Sequence, residues 1–330
     1  MNKSIRIIKY LPRYYNRFVE NIIFYFQTEK TYKDITKRSD DNSLYPIDFT
    51  FWVEDGHYDG QNIDGIPVKH HIDGDVYSWS RICNYALYNY NEYKISNNKK
   101  YLDKFVNLVD YIENNLVIDK GRSTCALYHQ YNWLELKSPW IGALVQGLIS
   151  SVMMRYYLIT ENDKYLVLSE MSSNMFFILV EDGGVVKKIN DSDDWLEEYP
   201  ITEDSKYSFV LNGFMIALVG LFDTSKISVD RKYSARYHDL INSLNNNLDL
   251  FLVENNTWSV YSNPKFGKNY VTPSYQSLHM VLLSFHSKNI DLPFLKEVIK
   301  IWEKDFLNKI LRIKCLIKKI QYWINNPNTV

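Results

Sequence analysis

The sequence predicts an all-α fold of about eight antiparallel helices, preceded by a short irregular region of β-hairpin character. Three observations carry that prediction. Apolar residues recur at i, i+4 and i+7 through most of the chain from Tyr77 onward. No stretch sustains the period-two alternation of a strand, and the loops between helical stretches are of modest length. Hairpins of this kind, without a heptad seam, bury one face on their neighbours. An α/α toroid does this, and so does a two-layer helical solenoid; no clear repeat of residue identities separates the two.

Taken in order, residues 1–75 form the irregular N-terminal region. Phe49–Val53 reads as a short strand, and the Asp- and Gly-rich run that follows, as far as Asp75, reads as loop. Its scattered aspartates lack calcium-loop spacing, and His70 and His71, being adjacent, point to different sides of any regular element. The helical domain spans 76–310. Regular buried faces appear at Tyr101, Phe105, Leu108, Val109, Ile112 and Leu116, and at Leu144, Leu148, Val152, Tyr156 and Ile159. They return at Tyr233, Tyr237, Leu240, Leu244, Leu248 and Phe251, and at Leu295, Ile299, Trp302, Phe306 and Ile310. Less regular helices are expected near 78–92, 163–180, 207–222 and 274–287, and a short strand near Thr257–Tyr261. Ser138-Pro139 and Asp291-Leu292-Pro293 read as helix starts, and Gly183-Gly184 as a helix stop. Residues 311–330 continue an amphipathic pattern, with Ile313, Leu316, Ile317, Ile320 and Ile324 on one side and Arg312, Lys314, Lys318 and Lys319 on others. Such a helix suits peripheral contact with an anionic membrane; packing on the body with a solvated basic face is the favoured reading.

Composition excludes several classes. Hydrophobic residues at 46% and charged residues at 23% fit a folded globular chain, and a net charge of −1 argues against nucleic-acid binding by phosphate neutralisation. Cys83, Cys125 and Cys315 lie far apart without a C-x-x-C, as reduced buried residues do. The basic N-terminus is interrupted by Pro12, Arg13 and Arg17, and no apolar signal or membrane-spanning segment follows, so the expected location is cytoplasmic, with a homodimer as the expected oligomer. No glycine-rich nucleotide loop or metal-ligand spacing is found, so no cofactor and no metal are expected. The excess is in tyrosine, 27 residues, which suits a core bordering polar ligands.

The stretch Asp193–Pro200 (DDWLEEYP), followed by Ser208–Asp223, carries the chemistry. Glu197 and Glu198 stand between Trp195 and Tyr199. A solvated acidic loop is the ordinary reading of a Glu-Glu pair. Aromatic flanks instead desolvate carboxylates and raise their pKa towards the proton-transfer range. Asn212 and Gly213 open an otherwise apolar helix, where an amide and a gap are costly without a purpose.

These residues resemble the C-terminal domain of the D-glucuronyl C5-epimerase family, which converts glucuronate to iduronate within heparan-type polymers. WLEEYP and SFVLNGFMIALVGLFD look like that family's W-x-E-E-Y-P and S-F-V-L-N-G-F-M motifs. Leu136–Thr160 is similar to its segment of a Trp, an Ala-x-x-Gln-Gly and a helix ending in Arg-x-Tyr-Leu; Trp258–Tyr261 and Pro273–His279 resemble its Ile-Tyr-Asp and Asp-Tyr-His segments; Val76–Tyr90 is more weakly similar. The β-sandwich of the animal enzymes is missing between the segments around Tyr90 and Tyr101. The resemblance implies an incomplete α/α toroid whose cleft holds an acidic, glucuronate-containing polysaccharide. It places the catalytic positions on Glu198, Tyr199, Tyr261 and Tyr275, with Asn212, Glu197, Trp195, Trp140 and His279 as substrate-binding candidates. The family's Arg, three positions after the Tyr matching Tyr261, is Pro264 here, so Lys265 becomes the candidate cation. The implied reaction removes the proton alpha to the carboxylate at carbon 5 and returns one to the opposite face, with Glu198 as base and Tyr275 as acid. A uronate polysaccharide lyase starts from the same proton removal. A glycoside hydrolase would need a second carboxylate ~5–9.5 Å from Glu197 or Glu198, and Asp193 and Asp194 are too near in sequence to serve. A non-catalytic carbohydrate-binding protein is the reading outside enzymology.

Overall fold

Helix formation follows the predicted periodicity closely in the computed structural model, which describes residues 31–35, 43–71 and 74–326. Helices α2 (Trp79–Ser96) and α3 (Lys99–Asn114) form the first hairpin, α4 (Ala143–Thr160) and α5 (Asp163–Ser173) the second, α6 (Leu211–Ile227) and α7 (Arg231–Asn247) the third, and α8 (Pro273–Asn289) and α9 (Pro293–Asp305) the fourth. The first member of each hairpin packs on the first member of the next, and the second members stand outside. This is an α/α toroid, the predicted class.

The division between inner and outer helices explains which were easy to read. Outer helices are one-sided: α3 buries Phe105, Leu108, Val109 and Ile112, and α9 buries Leu295, Val298, Ile299 and Trp302. Asparagine or aspartate side chains cap several outer helices, as Asn98 does by accepting from Lys100 N at 3.0 Å and Asp230 from Lys232 N at 2.9 Å. Inner helices are buried nearly all round, so α6 and α8 show no single apolar stripe.

The two most buried helices, α4 and α6, touch backbone to backbone. A Cβ on Gly220 would stand 2.1 Å from the Gly147 carbonyl oxygen, and one on Gly147 would stand 2.5 Å from Ala217 Cα. Hydroxyls satisfy one another beside this crossing: Ser150 Oγ to Ser173 Oγ at 3.0 Å, and Thr224 Oγ1 to Ser173 and Ser169 at 2.8 Å each.

The ring of helices is open between α8 and α2, and the N-terminal segment bridges the gap. Strands β1 (Lys33–Asp34) and β2 (Ile47–Asp48) pair antiparallel and lie on α8, where Ser277 Oγ donates to the Tyr32 carbonyl at 2.7 Å. The same segment grips α2 through Asn91, which accepts from Tyr45 N at 2.9 Å and donates to Tyr45 O at 3.0 Å.

Several local expectations are corrected. Phe49–Val53 is not a strand but lies mostly in a short helix, α1 (Thr50–Glu54), because the Asp48 carboxylate accepts from Thr50 N at 2.9 Å and turns the chain. The following segment contains a hairpin, β3 (Lys69–His71) with β4 (Gly74–Val76), so His70 and His71 are on a strand. A further hairpin, β5 (Val117–Asp119) with β6 (Thr124–Ala126), follows α3. Ser138-Pro139 does not start a helix. Trp140 is still extended, its carbonyl accepting from His129 N at 2.7 Å, and α4 begins only after Gly142. Asp291 is not the cap of α9; Leu292 is, with Pro293 first in the helix. Near Gly183-Gly184 the chain does turn, Gly183 adopting φ of +82°. The expected short strand is Trp258–Ser259 (β10), paired with Leu252–Val253 (β9).

The C-terminal helix α10 (Lys309–Asn325) packs on the body, but of its isoleucines only Ile320 is turned to the core. Arg312, Cys315, Leu316 and Tyr322 are buried, while Ile310, Ile313, Ile317 and Ile324 face outward. Its basic side chains are engaged: Arg312 Nε donates to Phe306 O at 2.7 Å, Lys314 pairs with Glu254, and Lys319 Nζ donates to Asn269 Oδ1 at 2.6 Å. Among the described residues no helix is long and apolar enough to cross a membrane.

Candidate active site

The hairpin of β7 (Val186–Lys188) and β8 (Asp194–Leu196) delivers residues 197–199 to the mouth of the toroid. Backbone bonds fix the exit: Glu197 N donates to Val185 O at 2.7 Å, and Ala143 N donates to Glu197 O at 2.8 Å.

The two adjacent glutamates face different surroundings. Glu197 is fully buried. Its two carboxylate oxygens accept from Phe209 N at 3.2 and 3.0 Å, and Phe209 is held at φ of +56° in the left-handed region. A non-glycine residue there stores on the order of 1–3 kcal/mol of strain, which this hydrogen bond helps to offset. Burial raises the Glu197 pKa, against the Phe209 N–H and the Lys187 ammonium. Trp195 is fully buried as well, stacked between Phe214 at 3.9 Å and Phe251 at 5.2 Å. Both residues, expected to contact substrate, stand behind the cleft and shape it.

Glu198 faces out, half-buried. It fits because two glycines leave room. A Cβ on Gly142 would stand 2.2 Å from the Glu198 carbonyl oxygen, and one on Gly213 would stand 2.4 Å from Glu198 Oε2. The Tyr199 and Tyr261 hydroxyls hydrogen-bond the Glu198 carboxyl and lie 3.5 Å from each other. Oε2 itself is buried without a partner. Burial pushes Glu198 up to about 7, and the two tyrosine hydrogen bonds restrain the rise. Tyr275 meets Tyr261 edge to face, with ring centroids 5.7 Å apart, and is 38% exposed at the cleft mouth. Burial and the Glu198 charge push Tyr275 up to about 12 and raise Tyr199 and Tyr261 well above the ordinary phenol value, so all three are neutral donors near neutral pH.

Gly213→Ala is therefore expected to leave the helices in place and to displace the Glu198 side chain. Activity should fall by about tenfold or more while the far-ultraviolet circular dichroism stays unchanged.

Other predicted residues divide. Asn212 is buried beside Gly213 with Oδ1 unpartnered, and Trp140 lies 6.1 Å from the Tyr199 ring. His279 is fully buried; its Nδ1 sits 2.9 Å from Ser259 Oγ, which donates to Gln276 Oε1 at 2.7 Å, and burial lowers its pKa to about 3. It braces β10 two residues before Tyr261 rather than lining the cleft. Lys265 is exposed, and its ammonium goes to Asp204 at 3.0 Å. Tyr32 is a residue the motifs did not reveal: it precedes β1 and is held on α8, the helix of Tyr275, by the bond from Ser277 Oγ to its carbonyl. Gly142 was readable only as part of the similar segment from Leu136. Among the described residues no cluster of His, Cys, Asp and Glu is gathered as for a metal ion. A separate cavity of about 450 Å³ between residues 61–65 and α3 is lined by Asp64, Tyr85, Lys100, Asp103 and Lys104 and includes none of the residues above.

Comparison with known proteins agrees with this geometry. The D-glucuronyl C5-epimerase C-terminus family matches residues 120–304. A D-glucuronyl C5-epimerase of Caenorhabditis elegans is 38% identical over 96 residues, which are 29% of this chain and 15% of that protein. The chain thus matches only a small part of that enzyme's length. An uncharacterized protein of Methanocaldococcus jannaschii is 26% identical over 232 residues, 66% of this chain and 72% of its own. Among solved structures, a GH76 alpha-mannanase of Bacteroides thetaiotaomicron superposes with a TM-score of 0.51 at 12% identity, covering 76% of this chain and 65% of that one. That likeness concerns the α/α fold alone.

Proposed function

Because the chain belongs to the D-glucuronyl C5-epimerase family through its C-terminal domain, we propose that it inverts carbon 5 of D-glucuronate residues in an acidic polysaccharide. The observation that supports this best is the Glu198 carboxyl. It is raised to about 7, has a buried oxygen without a partner, and stands beside the hydroxyls of Tyr199 and Tyr261. A general base is most effective when its pKa lies near the working pH.

The C5 proton is weakly acidic because the adjacent carboxylate resists further negative charge. Glu198 takes that proton from one face of the ring. The electron pair delocalises into the carboxylate as an enediolate, which the neutral hydroxyls of Tyr199 and Tyr261 and the Asn212 amide stabilise by hydrogen bonding. Tyr275 donates its proton to carbon 5 from the other face and becomes a phenolate. Tyr261, packed between Tyr275 and Glu198, offers the route by which the proton on Glu198 restores Tyr275. The net change is inversion, with no redox equivalent consumed.

Incubation with a glucuronate polymer in deuterated water tests the reading: deuterium at carbon 5 supports it, and absence of exchange from every glucuronate polymer offered sinks it. A lyase would instead expel the group at carbon 4 and leave an ultraviolet-absorbing unsaturated uronate.

The sign of the pH dependence follows from the same groups. Glu198 must be ionised to accept a proton, so kcat/KM should fall as pH drops below about 7. Tyr261 lowers the Glu198 pKa by hydrogen-bonding its charged form. Tyr261→Phe should therefore move the acid limb to higher pH, besides lowering the rate. A limb that stays in place or moves down would separate Glu198 from the base role.

A further inference from the structure

Trp133 stands at the tip of a tongue, residues 129–140, that lies between β6 and α4. It is 44% exposed, whereas the other seven tryptophans are buried or half-buried. The tip is a two-residue turn: Trp133 N donates to Leu136 O at 3.0 Å, and Leu136 N donates to Trp133 O at 2.8 Å. Leu134, within the turn, adopts φ of +54° and is exposed as well. Glycine or asparagine would relax such a turn, whereas a leucine there stores strain. An indole left in water also forgoes the burial that would favour it. Neither side chain helps the chain to fold.

Hydrogen bonds hold the tongue in shape from root to tip. Backbone bonds pair His129 with Trp140 at 2.7 and 3.2 Å. Asn132 Oδ1 accepts from Ser138 N at 2.9 Å, and the Trp140 indole N–H donates to Tyr131 O at 2.8 Å. The His129 ring stacks on Trp140 at 4.0 Å. Aromatic rings then follow one another from the tip to the reaction centre. Trp133 meets Tyr131 edge to face at 6.5 Å, Tyr131 meets Trp140 at 5.9 Å, and Trp140 meets Tyr199 at 6.1 Å. Tyr199 follows Glu198 in the chain, and its hydroxyl lies 3.5 Å from that of Tyr261. The four rings of this row carry no charge, so they hold a ligand by shape and by contact with C–H groups.

We propose that Trp133 is a stacking subsite, the outer end of an aromatic wall, which takes the C–H face of a pyranose ring beyond the one held at Glu198. The hydroxyls of a pyranose stand around its rim and leave its faces apolar, so an exposed flat indole matches it. Each ring-to-ring step from Tyr199 to Trp133 measures between 5.9 and 6.5 Å, so only a ligand that extends past the reacting sugar reaches the tip. Selection at Trp133 is by ring shape and ligand length, apart from the carboxylate on which the chemistry at Glu198 depends. This inference rests on the epimerase reading for the identity of the sugar.

The test compares binding of a glucuronate disaccharide and a glucuronate octasaccharide to the full chain by calorimetry. The wild-type chain should prefer the octasaccharide. Trp133→Ala should bind the octasaccharide about fivefold or more weakly while binding the disaccharide as wild type does, and Trp133→Phe, which keeps a smaller ring, should lose less. If Trp133→Ala binds the octasaccharide as tightly as wild type, or weakens both ligands equally, the subsite is refuted. Should Trp133→Ala fail to fold, Trp133→Leu decides alone: it keeps apolar bulk without a ring face, and full retention of octasaccharide affinity refutes stacking. Deuterium exchange at carbon 5 separates the two readings. A lost length preference in Trp133→Ala without wild-type exchange keeps the stacking subsite and removes the epimerase; exchange with an unaltered preference does the reverse. Binding of neither oligosaccharide removes both.

Discussion

Glu198→Gln is expected to abolish deuterium incorporation at carbon 5, lowering kcat by about 10³ or more, within the range that a lost general base produces. The substitution keeps the shape of the side chain, so its fit over Gly213 and Gly142 survives. The amide can still accept from the Tyr199 and Tyr261 hydroxyls, and it cannot take a proton from carbon. Affinity for a glucuronate oligosaccharide should remain within a few-fold of wild type. Unchanged affinity with lost exchange marks a base; exchange persisting near the wild-type rate would exclude Glu198 from the chemistry. A chain that never exchanges the proton but binds the sugar equally well with Glu or Gln at 198 would be a binding protein.

Gly220→Ala should have the largest effect on stability. Its new methyl would stand 2.1 Å from a backbone oxygen of the neighbouring helix, and neither helix can yield without moving its own hydrogen-bonded ladder. Overpacking of this kind costs about 3 kcal/mol, enough to consume a large part of the folding free energy of an ordinary domain. Thermal denaturation followed by circular dichroism would register it as a large fall in midpoint. A midpoint within a degree or two of wild type would mean that α4 and α6 do not cross in backbone contact. Gly147→Ala should behave similarly. The double variant should lose less than the sum, because both methyls push the same two helices apart.

The two predictions concern residues that were unequally legible. The outer helices could be read because a helix wetted on one side must carry its apolar residues on the other, as at Phe105, Leu108 and Ile112. The crossing at Gly147 and Gly220 could not, since a glycine in an apolar helix looks the same whether it faces a backbone or a methyl group. Phe49–Val53 has strand composition, yet the Asp48 carboxylate decides its geometry from outside the run. The same limit applies to Ser138-Pro139, where pairing of Trp140 with His129 postpones the helix. At the site, the motif named the chemically able residues but not their direction. Glu197, Trp195 and His279 have the right types and point into the protein. Tyr32 belongs to no motif and is held against α8 by the bond from Ser277 to its carbonyl, which only the folded N-terminal segment supplies. Lys265 was chosen by charge, and a neighbouring Asp204 in an unpatterned loop takes that charge.

The neighbouring glutamates leave a particular vulnerability. Their side chains are chemically identical, and one braces Phe209 while the other lies open to the cleft. Substitution of one by the other is no change at all, so point mutation cannot exchange their duties. A frame-preserving indel can. Gaining one residue between Lys188 and Asp194 would slide the strand by one position against its partner Val186–Lys188 and bring Glu197 to the place now held by Glu198. The chain would keep its composition of acids and its motif, and lose the brace at Phe209. The length of this one turn is therefore as much a part of the reaction as the carboxylate, and variants with altered length there deserve to be sorted apart from those that merely alter its residues.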